Sequence, residues 1–472
     1  MVDGSLDALF RPRGVAVMGA SPVPGKIGNL AVRALVGGGF DGPVYPVNRG
    51  GDEVLGKRGF VTIAEVPDPV DLAVVALPAD AVADAIDQCA QRGVRAAIVL
   101  SSGFAEAGAE GVALEQDVTQ RAVAGGVRLL GPNCQGILSL PDRLVANFSP
   151  SFASASEPGP VSMISQSGGY NSIAYRLGGL NGVRFSRIVS TGNESDINAT
   201  DLFEFLAADD ETRVVAAYLE QIRDSRRFLE VMSRLTADKP VVISKAGRSD
   251  IGSKAASSHT GALASSGVVG RGVLLQAGVL PARSVDEFIA LLTAFSGPQT
   301  LARGSRVGLL SQGGGFGVET TDLCRESGLE LPPLASKTVK ALGEMIPYYG
   351  TSDNPVDFTA ALMGNPAWLA ETVHLLADDD CVDIVTLLLT ASPGADAVGD
   401  LAAAVRASAK PVVVGWLGGH GDPDREQLHG LDIPTFATTL GLVTGLRGLA
   451  TRGKRLLGDE FVGDLRPPRE SR

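Results

Sequence analysis

From Arg13 onward the chain alternates short runs of β-branched and aliphatic residues with longer Ala- and Leu-rich stretches, and GVAVMGAS, PVYPVN, DLAVVALP, AAIVLSSG and VRLLGPN follow one another in this rhythm. Such alternation predicts βαβ units closing a sheet of parallel strands. Several of these runs end in Gly, Ser, Pro or Asn, and in an open α/β sheet the loops beyond the C-terminal strand ends are where a ligand binds. The first domain is therefore expected to hold a crevice lined by strand-end loops.

A second alternating block follows the loop SPSFASASEPGP and runs through VSMISQSGG, SRIVSTGN, VVAAYLE and PVVISKAG; a third follows SGPQTLARGS and runs through RVGLLSQGGG, VDIVTLLLT, PVVVGWLGG and IPTFATT. The expected domains are residues 1–148, 158–298 and 304–457, with a polar tail over 458–472. A length of 472 residues, too great for one core, agrees with three modules. No apolar run approaches the roughly 20 residues needed to span a bilayer, and the N-terminus lacks the hydrophobic stretch of a secretory signal, so the cytoplasm is the expected compartment and no membrane partner is expected. Cys89, Cys134, Cys324 and Cys381 are scattered without C-x-x-C pairing, which points to neither a disulfide framework nor a zinc site. A net charge of −12 argues against nucleic acid as a partner. An anionic ligand must then be held locally, by backbone amides and a few placed basic residues.

One internal repeat narrows the reading. VSMISQSGGYNSIAYRLGGLNG from Val161 aligns without gaps on VGLLSQGGGFGVETTDLCRESG from Val307, keeping Ser-Gln and Gly-Gly in register. In both copies a strand runs through a Gly-rich turn into a helix, which leaves unsatisfied N–H groups and a partial positive charge at the helix start. Ser165, Ser167, Gly168 and Gly169 in the first copy, and Gly313, Gly314 and Gly315 in the second, are candidate phosphate-binding positions. The alternative is that the glycines only permit tight turns; the duplication weighs against it.

The N-terminal turn GASPVPGKIGN starts at Gly19 and resembles a nucleotide loop, but it fails two well-known patterns. Five residues separate Gly19 from Gly25, and Ile27 follows Lys26, so the spacing and the hydroxyl of a Walker A loop are missing. An NAD fingerprint needs an acidic residue after the second strand, where this chain has Asn48 and Arg49. A basic residue there suits a ribose carrying a phosphate, as in NADP or coenzyme A. Among the histidines, His259 stands out by its setting, SKAGRSDIGSKAASSHTGALASSG, a stretch of small residues, Lys and Ser that buries little. Imidazole suits nucleophilic and proton-transfer roles near neutral pH, although a lone histidine is ordinarily a surface or core residue. His374, His420 and His429 have no comparable setting. Glu220 ends the run VVAAYLE; it either closes a strand as a surface charge or accepts an imidazole N–H, fixing the tautomer so that the other ring nitrogen can attack phosphorus.

VAVMGAS, YPVN, DLAVVALPA, SSGFAEAG, LLGPNCQGI, SQSGG, ASSHTGALA and NPVD occur in order and at the spacing of one family: from about Leu9 to Leu457 the chain resembles the α subunits of ADP-forming acetyl-CoA synthetases, relatives of succinyl-CoA synthetase. The resemblance implies an α/β fold with an N-terminal Rossmann-like CoA-binding domain and two flavodoxin-like parallel-sheet domains. It implies CoA held by Gly19, Ser21, Gly25, Lys26, Asn48, Arg49, Pro78, Ser101, Ser102 and Asn133. It implies phosphorylation of His259, oriented by Glu220 and received at the two helix starts of the repeat. The implied reaction joins a small carboxylic acid to CoA through an acyl phosphate. ATP with Mg²⁺ would sit on a separate ATP-grasp β-type subunit, giving a hetero-oligomer; no metal is expected on this chain. Two positions depart from the family pattern: Ser265, Ser266 and Gly267 replace a usual Gly-Ser-Asp, and Gln221 replaces the Gly that usually follows the strand-end Glu. Two other readings stay open, a non-catalytic CoA-binding regulator and an NADP-dependent oxidoreductase, the latter opposed by the missing fingerprint.

Overall fold

Strands covered by helices on both faces must be apolar at every position, and β1 (Val15–Met18) meets that condition along its whole length. It pairs in parallel with β2 (Val44–Val47), Val15 facing Val44, and with β3 (Leu72–Val75), Val15 facing Leu72. Adding β4 (Ala96–Val99) and β5 (Arg128–Leu130) completes a five-stranded parallel sheet of order β2-β1-β3-β4-β5. The computed structural model describes residues 6–152, 157–254, 267–298, 300–419 and 421–458. They divide into two units, the first running to Arg176 and resuming from Arg184 to Val279, the second comprising Leu177–Val183 and the chain from Leu280.

The first unit also contains a second sheet built from β6 (Gly136–Ser139), β7 (Leu144–Asn147), β8 (Val161–Ser165), β9 (Phe185–Ser190), β10 (Val214–Leu219) and β11 (Val241–Lys245). Its order there is β11-β10-β8-β9-β6-β7, parallel from β11 to β9. The β6–β7 hairpin adds to the expected architecture: β6 pairs antiparallel with both β7 and β9. The two sheets share one core, in which Phe10 stacks on Phe205 with ring centroids 4.3 Å apart. Arg187, fully buried, lies over both rings and spends its guanidinium on Asp209, Asp142 and Ser139.

In the second unit, β12 (Leu280–Ala282) precedes β13 (Val307–Ser311), β14 (Val356–Asp357), β15 (Ile384–Leu389), β16 (Val412–Trp416) and β17 (Thr435–Phe436). The last five form a parallel sheet of order β14-β13-β15-β16-β17. One plan recurs in all three sheets. The first strand of each parallel set is central, the next lies on one side and the third on the other, so crossovers leave in opposite directions and open a crevice at the C-terminal strand ends, where such sheets bind ligands. Among the described residues, no helix is long and apolar enough to cross a membrane.

Candidate functional site

The switch point of the first sheet lies between β1 and β3, and a crevice of about 1020 Å³ opens there. Gly19, Ser21, Gly25, Lys26, Asn48, Arg49, Pro78, Ser101 and Ser102 all line it. Gly19 has φ +83°, and a Cβ there would stand 2.4 Å from the Ala76 carbonyl oxygen, so only glycine lets β1 turn beside β3. The loop after β2 is closed by Asn48, whose Nδ2 donates to the Asp52 carbonyl at 2.9 Å while its Oδ1 accepts the Asp52 N–H at 2.9 Å. Asn48 therefore shapes the loop with both ends of its amide. Ser101 Oγ donates to the Leu77 carbonyl. Lys26 and Arg49 are exposed, with no ion-pair partner among the described residues.

A second crevice of about 500 Å³ lies at the switch point between β8 and β10 and is lined from both sheets of the unit. From the second sheet come Gln166, Ser167, Gly168 and Gly169, then Glu220, Gln221 and Arg223; from the first come Ala105, Glu106, Glu115 and Asn133. Asn133, expected in the CoA crevice, lines this one instead; at φ 58°, its Nδ2 donates to Asn193 Oδ1 at 3.2 Å. Ser165 Oγ closes the turn by donating to the Ser167 carbonyl at 2.7 Å and accepting the Ser167 N–H at 3.1 Å. The helix Gly168–Leu180 starts at this crevice, presenting the backbone donors that no helical carbonyl can reach. Glu220 is only 8% exposed. Lys245 Nζ donates to the Glu220 carbonyl oxygen at 2.8 Å; burial lowers the Lys245 pKa while the negative charge of Glu220 opposes the shift.

Sequence reasoning missed the residue that joins the crevice walls. Asn193 Nδ2 donates to Glu106 Oε2 at 2.6 Å and to Glu115 Oε2 at 2.7 Å, and Arg223 Nη2 donates to the Asn193 carbonyl at 2.6 Å. Burial works to raise the Glu106 pKa, but hydrogen bonds from Asn193 and the Gly103 N–H prevail and hold it below the usual range. Beneath lies Glu194, which burial pushes upward against hydrogen bonds from Gln166 and Thr191.

In the second unit, β13 runs into the helix Gly314–Glu326 through the same closure, Ser311 Oγ donating to the Gly313 carbonyl at 2.8 Å. Gly315 has open space around it, and beside Gly314 a Cβ would meet Asp357 Oδ2 at 3.2 Å. His259, with Ser265 and Ser266, lies outside the described residues, as does His420.

Residues 13–139 match the family described as CoA binding domain, and residues 158–295 match the Succinyl-CoA ligase like flavodoxin domain. The chain is 35% identical over 467 residues to the acetate–CoA ligase [ADP-forming] II subunit alpha of Pyrococcus furiosus, covering 96% of this chain and 99% of that one. It is 36% identical to acetate–CoA ligase [ADP-forming] I of Archaeoglobus fulgidus, covering 98% of this chain but 65% of that longer protein. Among solved structures, the dinucleotide forming acetyl-coenzyme A synthetase 1 of Ca. Korarchaeum cryptofilum, in complex with phosphate and ADP, superposes with a TM-score of 0.88 at 33% identity, over 97% of this chain and 98% of that one.

Proposed function

The chain belongs to the family of ADP-forming acetate–CoA ligase α subunits, and from that premise we propose that it is the CoA-binding subunit of a cytoplasmic NDP-forming acyl-CoA synthetase whose phosphoryl carrier is His259. The observation that carries the reading is the company Glu220 keeps: a nearly buried carboxylate shares one crevice with the helix start at Ser167–Gly169, so an acceptor for an imidazole N–H stands beside donors for a phosphate.

In the direction of acyl-CoA synthesis, the His259 imidazole takes the γ-phosphoryl group of ATP. A P–O bond to the leaving ADP breaks as a P–N bond forms. The ring nitrogen that attacks must be unprotonated, and Glu220 keeps the proton on the other nitrogen by accepting its N–H. The phosphoryl group then passes to the carboxylate of the acid, giving an acyl phosphate and returning the imidazole. Attack by the CoA thiol on the acyl carbon releases phosphate. Phosphoryl transfer needs positioning and charge stabilisation more than side-chain acids, and the free amides at Gly168 and Gly169 supply both, with the turn Gly313–Gly315 as a second receiving site.

The first crevice suits CoA in size and charge. Gly19 brings backbone close to the ligand, and Lys26 and Arg49 offer their cations to its phosphates. ATP with Mg²⁺ belongs on an ATP-grasp β-type partner. Purified chain, mixed with such a partner and [γ-³²P]ATP, is expected to take acid-labile, base-stable label, and His259→Ala to take none. CoA binding without label from any candidate partner would leave only a non-catalytic CoA-binding role.

A further inference from the structure

The Ser-Gln pair kept in both copies of the repeat has a task separate from that of the glycines beside it. In the first unit, Gln166 Oε1 accepts the N–H groups of Glu220 at 2.5 Å and Gln221 at 2.9 Å, while Gln166 Nε2 donates to the Gln221 carbonyl at 3.0 Å. In the second unit, Gln312 Oε1 accepts the N–H groups of Thr390 at 2.8 Å and Ala391 at 2.9 Å. Both glutamines are nearly buried, 9% and 8% exposed. Twice, then, one carboxamide ties the Gly-rich turn to the end of the strand across the switch point. By this equivalence Thr390 holds in the second copy the place Glu220 holds in the first. In both copies the clamp grips the backbone at that place; in the second, Thr390 Oγ1 also donates to Gln312 Oε1 at 3.4 Å, so the two copies carry different side chains on one clamped strand end.

A carboxamide can sit either way round, and the strand end selects one way. Oε1 meets two backbone N–H groups and Nε2 meets the Gln221 carbonyl, and turning the amide over would lose all three bonds.

We propose that Gln166 is a positioning residue that fixes the Glu220 carboxylate against the helix start at Ser167–Gly169 so that an imidazole is met in register for phosphoryl transfer. The proposal rests on the assignment of His259 and Glu220 made above. A misplacement of about 1 Å can cost on the order of a hundredfold in rate, so Gln166→Leu is expected to slow single-turnover histidine phosphorylation by about that factor. The KM for CoA should stay within about twofold, because the CoA crevice lies on another sheet. The acidic limb of the pH–rate profile should also move, since Glu220 would no longer hold the imidazole tautomer.

Amide hydrogen exchange supplies a readout independent of activity: Glu220 and Gln221 should be protected in the wild type and exchange faster in Gln166→Leu. Unchanged exchange there would overturn the clamp outright. So would a loss of rate shared equally with CoA affinity, scaling with a fall in thermal midpoint, with the acidic limb unmoved, because that is the signature of general destabilisation. Failure of the wild-type chain to take label would count against His259 instead, with the exchange result still deciding the clamp.

Discussion

Gly19 and Gly25 are six positions apart on one loop and share a left-handed backbone, φ +83° and +84°, yet their surroundings differ. A Cβ at Gly25 meets nothing within 4 Å, whereas at Gly19 it would stand 2.4 Å from Ala76 O and 3.0 Å from a Leu77 methyl carbon. The first glycine is required by both conformation and space, the second by conformation only. Gly25→Ala should therefore cost about 1 kcal/mol of stability, the usual penalty for a left-handed Ala. Gly19→Ala should cost about 3 kcal/mol, because β1 must draw away from β3. Denaturant unfolding of the two variants would measure both, and equal losses would mean that the Ala76 carbonyl yields without cost. Any displacement at Gly19 also moves the loop carrying Ser21 and Lys26, so CoA affinity should fall with stability in that variant and hold nearer to wild type in Gly25→Ala.

Between elements, the parallel sheets are pinned at the strand end opposite the crevices by a device that appears in both units. Just before β1, Arg13 donates its backbone N–H, Nε and Nη2 to Asp71, which precedes β3, at 2.9, 2.8 and 2.9 Å. Just before β13, Arg306 makes the same three bonds to Asp383, which precedes β15, at 3.1, 2.9 and 2.7 Å. The Arg13 hydrogen bonds overcome burial and hold the Asp71 carboxyl down at about 2. A carboxyl depressed in the folded state stabilises in full above its unfolded value near 4, and that stabilisation is lost as pH falls toward 2. Asp71→Asn should thus cost about 2 kcal/mol at pH 6, and wild type and variant should converge on acidification. A gap that persists unchanged at pH 2 would show that shape rather than charge is at work.

The same scale explains what the sequence disclosed. β1, β3 and β4 were legible because strands buried on both faces leave unbroken apolar runs. The β6–β7 hairpin was not, because alternation carries no sign of direction: GILS and LVAN read as well for parallel strands, and the reversal occupies a few residues ending at Arg143, which takes φ 51°. Glu220 and the Ser167–Gly169 turn could be found because a strand end and a repeat mark them. Asn193 could not, because its value arises only when Glu106 and Glu115, 87 and 78 residues away, fold against its amide.

For the molecule as a whole, a net charge of −12 must admit a ligand bearing several phosphate charges. The field of the whole protein repels such a ligand, and Lys26 and Arg49 at the mouth of the first crevice oppose that repulsion locally. Salt screens both effects, but unequally. A contact of a few ångströms survives at physiological ionic strength, where the screening length is about 8 Å, while the distributed negative charge is largely masked. For the wild type the two changes partly cancel, so CoA affinity should vary weakly with salt. Removing both cations leaves the repulsion alone: Lys26→Ala with Arg49→Ala should bind CoA about tenfold more weakly at low salt and recover part of the loss as salt is added. That reversed salt slope, followed by calorimetric titration, separates loss of charge from damage to the loop, which would weaken binding by the same factor at every ionic strength. A double variant that binds as the wild type does, with the same slope, would mean that the CoA phosphates are held elsewhere, by the backbone at Gly19 and the helix that follows it.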